Sequence, residues 1–195
     1  MQRFLFLDID GVLNTDATYN GFYRAMGLSN RQTPRDASPT ESQVAELLIS
    51  PECMFHLNQI LRLSGARVVL SSTWREPQNL WGLDAMEILV ESGIYTPIFD
   101  VTAPAKQFDC AGVYYRGAEV CEYVTRKGLV PEQYVVLDDN FAPGKILKQY
   151  LGHKGVHIRT SHRKGLTRKH VTQVLHKWSL PQAALEFCAN NTLTV

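Results

Sequence analysis

Three short stretches hold most of the reactive side chains of this 195-residue chain. Asp8-Ile9-Asp10-Gly11-Val12-Leu13-Asn14 follows one apolar run, Ser71-Ser72-Thr73-Trp74-Arg75 a second, and Asp138-Asp139-Asn140 a third. Four carboxylates brought to one edge would repel each other unless a cation sat among them. Ligation by oxygen alone, without His or Cys, suits a hard ion such as magnesium, which in turn favours a phosphorylated substrate. Asp8 and Asp10, one residue apart where a strand unwinds, can both reach a single centre, one as nucleophile on phosphorus and the other as proton donor to the leaving group. The Ser71 hydroxyl can donate to a phosphoryl oxygen, and a Lys or Arg has to offset the charge of the transferring group. Ser72, Arg75 and Arg159 are further candidates to hold the substrate.

These residues need a scaffold that presents strand ends side by side. Near-continuous apolar runs at 3–8, 66–71, 97–101, 134–138 and 155–159 alternate with helix-like stretches, which predicts an α/β protein with a mostly parallel sheet buried on both faces. In such sheets ligands bind beyond the carboxyl ends of the strands. Thr40-Glu41-Ser42-Gln43 reads as a capping box, and Ser50-Pro51-Glu52 as a second helix start whose helix stops at Gly65. A helix over 117–127 ends at Gly128, and Thr167 opens another with Val171, Val174, Leu175 and Trp178 at helical spacing.

Two segments resist this pattern. Residues 15–39 are polar yet contain Tyr19, Phe22 and Tyr23, and at about 25 residues they exceed an ordinary connection, which predicts a small lid rather than a plain loop. Residues 102–115 lie between a strand and the next helix.

The motifs resemble those of the haloacid dehalogenase (HAD) superfamily of aspartate-nucleophile phosphatases: D-x-D-G-V-L-N as motif I, the run ending in Ser71 as motif II and V-V-L-D-D as motif IV. FLDIDGVLN, LSSTWR, RG-A-E-V ahead of a helix, VVLDD and a late G-L-T are similar to the HAD domain of "Swiss Army knife" RNA repair proteins, over residues 4 to about 171. The resemblance implies a HAD-like Rossmannoid three-layer fold, a five-stranded parallel sheet in the order 5-4-1-2-3, and a small or absent cap. It implies Asp8 as the nucleophile forming an aspartyl-phosphate, Asp10 as the general acid that then activates water, and Ser71 on the phosphoryl group. Magnesium would be held by Asp8, the Asp10 carbonyl and Asp138, with Asp139 direct or through water. For the motif III cation the resemblance favours Arg116, ahead of the helix, over Lys106, Arg126 and Lys127.

Other readings of the same residues are weaker. A calcium loop starting at Asp8 needs Glu at its twelfth position, where Tyr19 stands. A receiver domain places its phosphorylated Asp after the third strand. His153, His157, His162, His170 and His176 match no zinc spacing. Trp74-Arg75 reads either as a stacking-and-phosphate pair or as a packed Trp beside an Arg paired to a site carboxylate. Tyr19, Phe22 and Tyr23 read as a lid core or as a substrate platform. Cys53, Cys110, Cys121 and Cys188 show no C-x-x-C pair and read as small buried apolar residues.

Charge separates along the chain. Lys+Arg number 20 and Asp+Glu 19, for a net +1, yet no carboxylate occurs from Asn140 to Leu185, a stretch holding nine Lys and Arg. A one-signed region of this kind suits a polyanion, so region 140–177 is a candidate nucleic-acid contact. No apolar run approaches the roughly 18–20 residues of a membrane span, and Phe4-Leu5-Phe6-Leu7 is too short for a signal-peptide core. The expectation is a single domain in a cytoplasmic setting. The function expected is magnesium-dependent hydrolysis of a phosphomonoester, on a nucleic-acid end or a nucleotide. The alternatives are a phosphotyrosine protein, a small metabolite, transfer to an acceptor other than water, or a non-catalytic RNA- or protein-binding module.

Overall fold

The computed structural model describes residues 1–28, 38–76, 80–104, 115–140 and 142–180. Five strands, β1 (Phe4–Leu7), β2 (Arg67–Leu70), β3 (Ile98–Val101), β4 (Tyr134–Asp138) and β5 (His157–Arg159), form one all-parallel sheet in the order β3-β2-β1-β4-β5. This is the expected order read from the other edge. The described residues also form α1 (Asp16–Ala25), α2 (Glu41–Leu48), α3 (Pro51–Ser64), α4 (Ala85–Glu91), α5 (Tyr115–Lys127), α6 (Ala142–Leu151) and α7 (Arg168–Lys177).

Strand alternation divides the core into two layers. Leu5, Leu7, Val68, Leu70, Val135 and Leu137 face the layer built with α1–α4 and α7. Phe6, Val69, Tyr134 and Val136 face the layer with α5 and α6, where Phe6 packs edge-on against Tyr123 and Tyr134. Truncating a buried phenylalanine of this kind to alanine costs about 3–5 kcal/mol. β1 and β4 are buried on both faces because helices cover both sides of a parallel sheet.

The predicted helix starts hold: Thr40 forms a capping box with Gln43, the Ser50 side chain accepts from the Cys53 amide ahead of Pro51, and Gly65 ends α3 in the left-handed region. Four helices differ from the sequence reading. The polar segment after residue 14 is helical, started by a Thr15–Thr18 capping box, with Phe22 buried in the core; the remainder of the predicted lid, 29–37, lies outside the described residues. α4, begun by Asp84, and α6 were not anticipated. α5 begins at Tyr115, so Arg116 stands in its first turn rather than ahead of it. Most of 102–115, with Lys106 and Cys110, and also Cys188, lies outside the described residues. Cys53 is buried and Cys121 half-buried, both as free thiols.

Candidate active site

Because β1 lies between β2 and β4, the residues after Leu7, Leu70 and Leu137 meet at one edge. The ladders run on into the site: the Asp8 amide donates to the Leu137 carbonyl at 3.0 Å and the Ser71 amide to the Leu7 carbonyl at 2.8 Å. Asp8 and Asp138 are buried, and carboxylate oxygens of Asp8, Asp138 and Asp139 lie within 4.8 Å of one another. Burial pushes the Asp8 carboxyl up to about 6; Arg116 opposes this, Asp10 adds to it, and hydrogen bonds from the Ile9 amide and the Ser72 hydroxyl pull it down. Burial, reinforced by the Asp8 charge, pushes Asp138 up to about 8 against the pull of Arg116.

This cluster fits a hard divalent cation. Its donors are all carboxylate oxygens, Asp138 Oδ2 is buried with no hydrogen-bond partner among the described residues, and a cation would offset the burial and neighbouring negative charge that raise both carboxyls.

Arg116 reaches the cluster from the first turn of α5. Its Nη2 lies 3.6 Å from Asp8 Oδ1, its Nε 3.5 Å from Asp138 Oδ2 and its Nη1 3.5 Å from Glu119 Oε2. α5 can approach this closely because Gly117 has no side chain; a Cβ there would stand 2.6 Å from Ile146 on α6.

The Asp10 carboxylate is not part of the group formed by Asp8, Asp138 and Asp139. Its Oδ1 accepts from Tyr19 OH at 2.6 Å, Asn14 Nδ2 at 2.8 Å and Trp74 Nε1 at 3.1 Å. Trp74 is therefore a buried hydrogen-bond donor, and Tyr19 is neither bare lid core nor an open platform but a second donor to the same group. Burial beside Asp10 raises the Tyr19 phenol above its ordinary range, so it remains a donor.

Gly11 makes the turn between these two sets. It has φ +68°, and a Cβ there would stand 2.8 Å from Asp139 Cβ, so glycine is required both for the backbone and for the approach of Asp139. Asp139 is held from its other side: His162 Nε2 lies 2.9 Å from its Oδ2, and Arg159 Nε donates to its carbonyl at 2.7 Å.

Ser71 and Ser72 are fully buried, and the Ser71 hydroxyl has no hydrogen-bond partner among the described residues. Arg75 is turned inward, donating to the Ser72 carbonyl at 2.5 Å and to Glu119 Oε1 at 2.6 Å. Thus Asp8, Asp138, Asp139 and Arg116 come together, Asp10 and Ser71 flank them, and Arg75 and Arg159 bind protein groups. The sequence reading missed Glu119, Asn14 and His162. Glu119 sits three residues after Arg116, a spacing that puts both on one helix face. The histidines do not converge: His153 bonds Tyr134, His157 the Asp138 carbonyl, and His170 Thr167.

The exposed residues His162, Arg163 and Lys164 lie on a loop tied to the turn after β1, through Asp16 N to His162 O and Leu166 N to Val12 O, both 2.8 Å.

Residues 4–171 match the family described as the HAD domain in Swiss Army Knife RNA repair proteins. Among solved structures, a protein described as a "putative beta-phosphoglucomutase" of Thermotoga maritima matches at 14% identity with TM-score 0.51, over 98% of this chain and 100% of that one. A D,D-heptose 1.7-bisphosphate phosphatase from B. bronchiseptica, complexed with magnesium and phosphate, matches at 10% identity with TM-score 0.45, over 96% of this chain and 97% of that one. The curated proteins contain no match.

Proposed function

Because the chain belongs to the family of HAD domains of Swiss Army Knife RNA repair proteins, we propose that it is a magnesium-dependent phosphomonoester hydrolase working through an aspartyl-phosphate. The observation that carries this reading is the meeting of Asp8, Asp138 and Asp139 within 4.8 Å, with Arg116 beside two of them.

Asp8 attacks phosphorus through a carboxylate oxygen, and the bond to the leaving oxygen breaks. Asp10 delivers its proton to that oxygen, giving a free alcohol and an acyl phosphate on Asp8. Water then attacks the same phosphorus, Asp10 accepts its proton, and the acyl phosphate opens to inorganic phosphate and the original Asp8 carboxylate. The three donors around Asp10 fix its carboxylate in place. The Ser71 hydroxyl and the Arg116 guanidinium face the phosphoryl oxygens, where charge builds in both steps. Asp8, Asp138 and Asp139, with the Asp10 carbonyl, would hold magnesium, which supplies charge neutralisation between the nucleophile and the anionic phosphoryl group.

For substrate we favour a phosphate at a nucleic-acid end or on a nucleotide. The exposed run His162-Arg163-Lys164 is tied beside the turn that carries Asp10, so positive charge stands where a polyanion continuing from the site would pass. Arg159 lies at the base of the same loop.

The test is magnesium-dependent hydrolysis of an aryl phosphate by the wild type, its loss in Asp8→Asn with the fold retained by circular dichroism, and a panel of 3′-phosphate and 5′-phosphate oligonucleotides, nucleotides and phosphotyrosine peptides at two salt concentrations. Full activity in Asp8→Asn sinks the mechanism. Preference for phosphotyrosine, or oligonucleotide binding insensitive to salt, sinks the substrate assignment.

A further inference from the structure

Two arginines and one glutamate form a chain of charge beneath the site, and its links differ in tightness. Arg75 Nη2 meets Glu119 Oε1 at 2.6 Å, with the Arg75 side chain 4% exposed and that of Glu119 7%. Arg75 Nη1 is also tied to the Ser72 carbonyl at 2.5 Å, so Glu119 is anchored to the backbone that follows Ser71. Arg116, in contrast, stands 3.5–3.6 Å from each of its three carboxylates, longer than a well-made charged hydrogen bond of about 2.7–2.9 Å.

Two of those three carboxylates, Asp8 and Asp138, belong to the cluster a cation would claim. Glu119 does not, and it is the partner Arg116 keeps through the reaction. Its geometry suits that task. Oε1 is fixed by Arg75, Oε2 faces Arg116 Nη1, and Nη2 and Nε of Arg116 remain on the side of Asp8 and Asp138.

We propose that Glu119, locked by Arg75, is the positioning residue that aims the Arg116 guanidinium at the phosphoryl group. The proposal rests on the phosphatase reading for its catalytic consequence, but not for its geometry. It assigns Arg75 to support of the site rather than to substrate, and it gives a joint purpose to LSSTWR and RG-A-E-V, which meet at this pair.

Glu119→Gln keeps the shape and removes the charge. The expected result is a fall in kcat of about 10- to 100-fold, with KM for an aryl phosphate changed less than about threefold. The exchanged pair Arg75→Glu with Glu119→Arg separates positioning from simple stability. It rebuilds an ion pair, so the thermal transition recovers toward wild type, but it sets a cation against Arg116, so kcat stays low. Arg75→Lys, which keeps the charge and loses the two-pronged hold, gives an intermediate kcat and serves if Glu119→Gln does not fold.

The second readout needs no turnover: the Arg116 Nε–H resonance in ¹⁵N-arginine NMR, identified by its absence in Arg116→Lys, shifts or broadens in Glu119→Gln. Wild-type kcat in Glu119→Gln, recovery of kcat in the exchanged pair, or an unmoved Arg116 resonance each overturns the proposal. A wild type inactive on every phosphomonoester sinks the phosphatase reading instead, and the resonance still decides the geometry.

Discussion

Replacing Asp138 by asparagine separates what the cluster does for chemistry from what it costs the fold. Asp138 is buried, accepts the Asn140 amide through Oδ1 at 2.8 Å, and turns Oδ2 toward Arg116 Nε at 3.5 Å. In the folded chain its carboxyl rises from 3.8 to about 8. A raised carboxyl binds its proton more tightly folded than unfolded, so stability falls as pH climbs from about 4 toward 8 in the absence of metal. Each tenfold change in proton affinity is worth about 1.4 kcal/mol, which sets the cost of holding Asp138 ionised at pH 8 at about 5 kcal/mol or less. Asparagine removes this cost, but it places an amide against Arg116, a mismatch of about 1–3 kcal/mol. The net expectation for metal-free Asp138→Asn at pH 8 is a gain of about 2–4 kcal/mol. For a domain of this size that is a rise in Tm of roughly 5–10 °C. Near pH 4 the gain disappears, because the folded carboxyl is then protonated and carries no ionisation cost. Added magnesium raises the wild-type transition, leaves that of the variant unmoved, and supports turnover only in the wild type. Thermal melts in chelator and in magnesium at pH 4, 6 and 8 measure all of this. A metal-free wild type that grows more stable from pH 5 to pH 8, or an Asp138→Asn protein less stable at pH 8, refutes the reasoning.

Gly11→Ala forces a side chain onto a left-handed backbone, at about 1–2 kcal/mol, and into the Asp139 side chain 2.8 Å away; Tm falls and magnesium response weakens together, whereas an unchanged magnesium response contradicts the role given to that approach. Trp74→Phe keeps an aromatic ring but removes the donor to Asp10, so kcat on an alkyl phosphate is expected to fall further than on an activated aryl phosphate, which needs less protonation of its leaving group; equal falls count against Asp10 as the acid. Arg163→Ala and Lys164→Ala each lower the salt slope of oligonucleotide binding by about 1, read by titration at several salt concentrations, with aryl phosphate turnover unchanged.

The sheet was readable in the sequence because its strands are short, nearly continuous apolar runs, each ended by a polar residue or turn, and the carboxylates after two of them marked the edge where the site lies. The misses have physical causes. α6 holds Pro143 and Gly144, which read as breakers; yet Pro143 falls in the first turn, where a missing N–H is harmless, and Gly144 lets His157 approach to 2.8 Å of where a Cβ would be. α1 is mostly polar, and its apolar face is short. Glu119 and His162 pair across the fold with Arg75 and Asp139; only the three-residue spacing of Glu119 from Arg116 is a local signal, and it does not reveal the Arg75 contact. Arg116 was expected just ahead of a helix over 117–127 and lies inside α5 instead, because the helix begins two residues earlier, at Tyr115.

The central place of β1 also bears on how the chain comes into being. β1 pairs with β4 through Phe4–Tyr134 to Leu7–Leu137, so one of its edges waits for residues some 130 positions further on. At ribosomal speeds of 5–20 residues per second that wait is roughly 6–26 s. Throughout it, Phe-Leu-Phe-Leu presents an unpaired apolar edge of the kind that recruits other chains. The residue that closes this run is Asp8, a charge flanking an unavoidable hydrophobic strand, which is where sequences place their guards against aggregation.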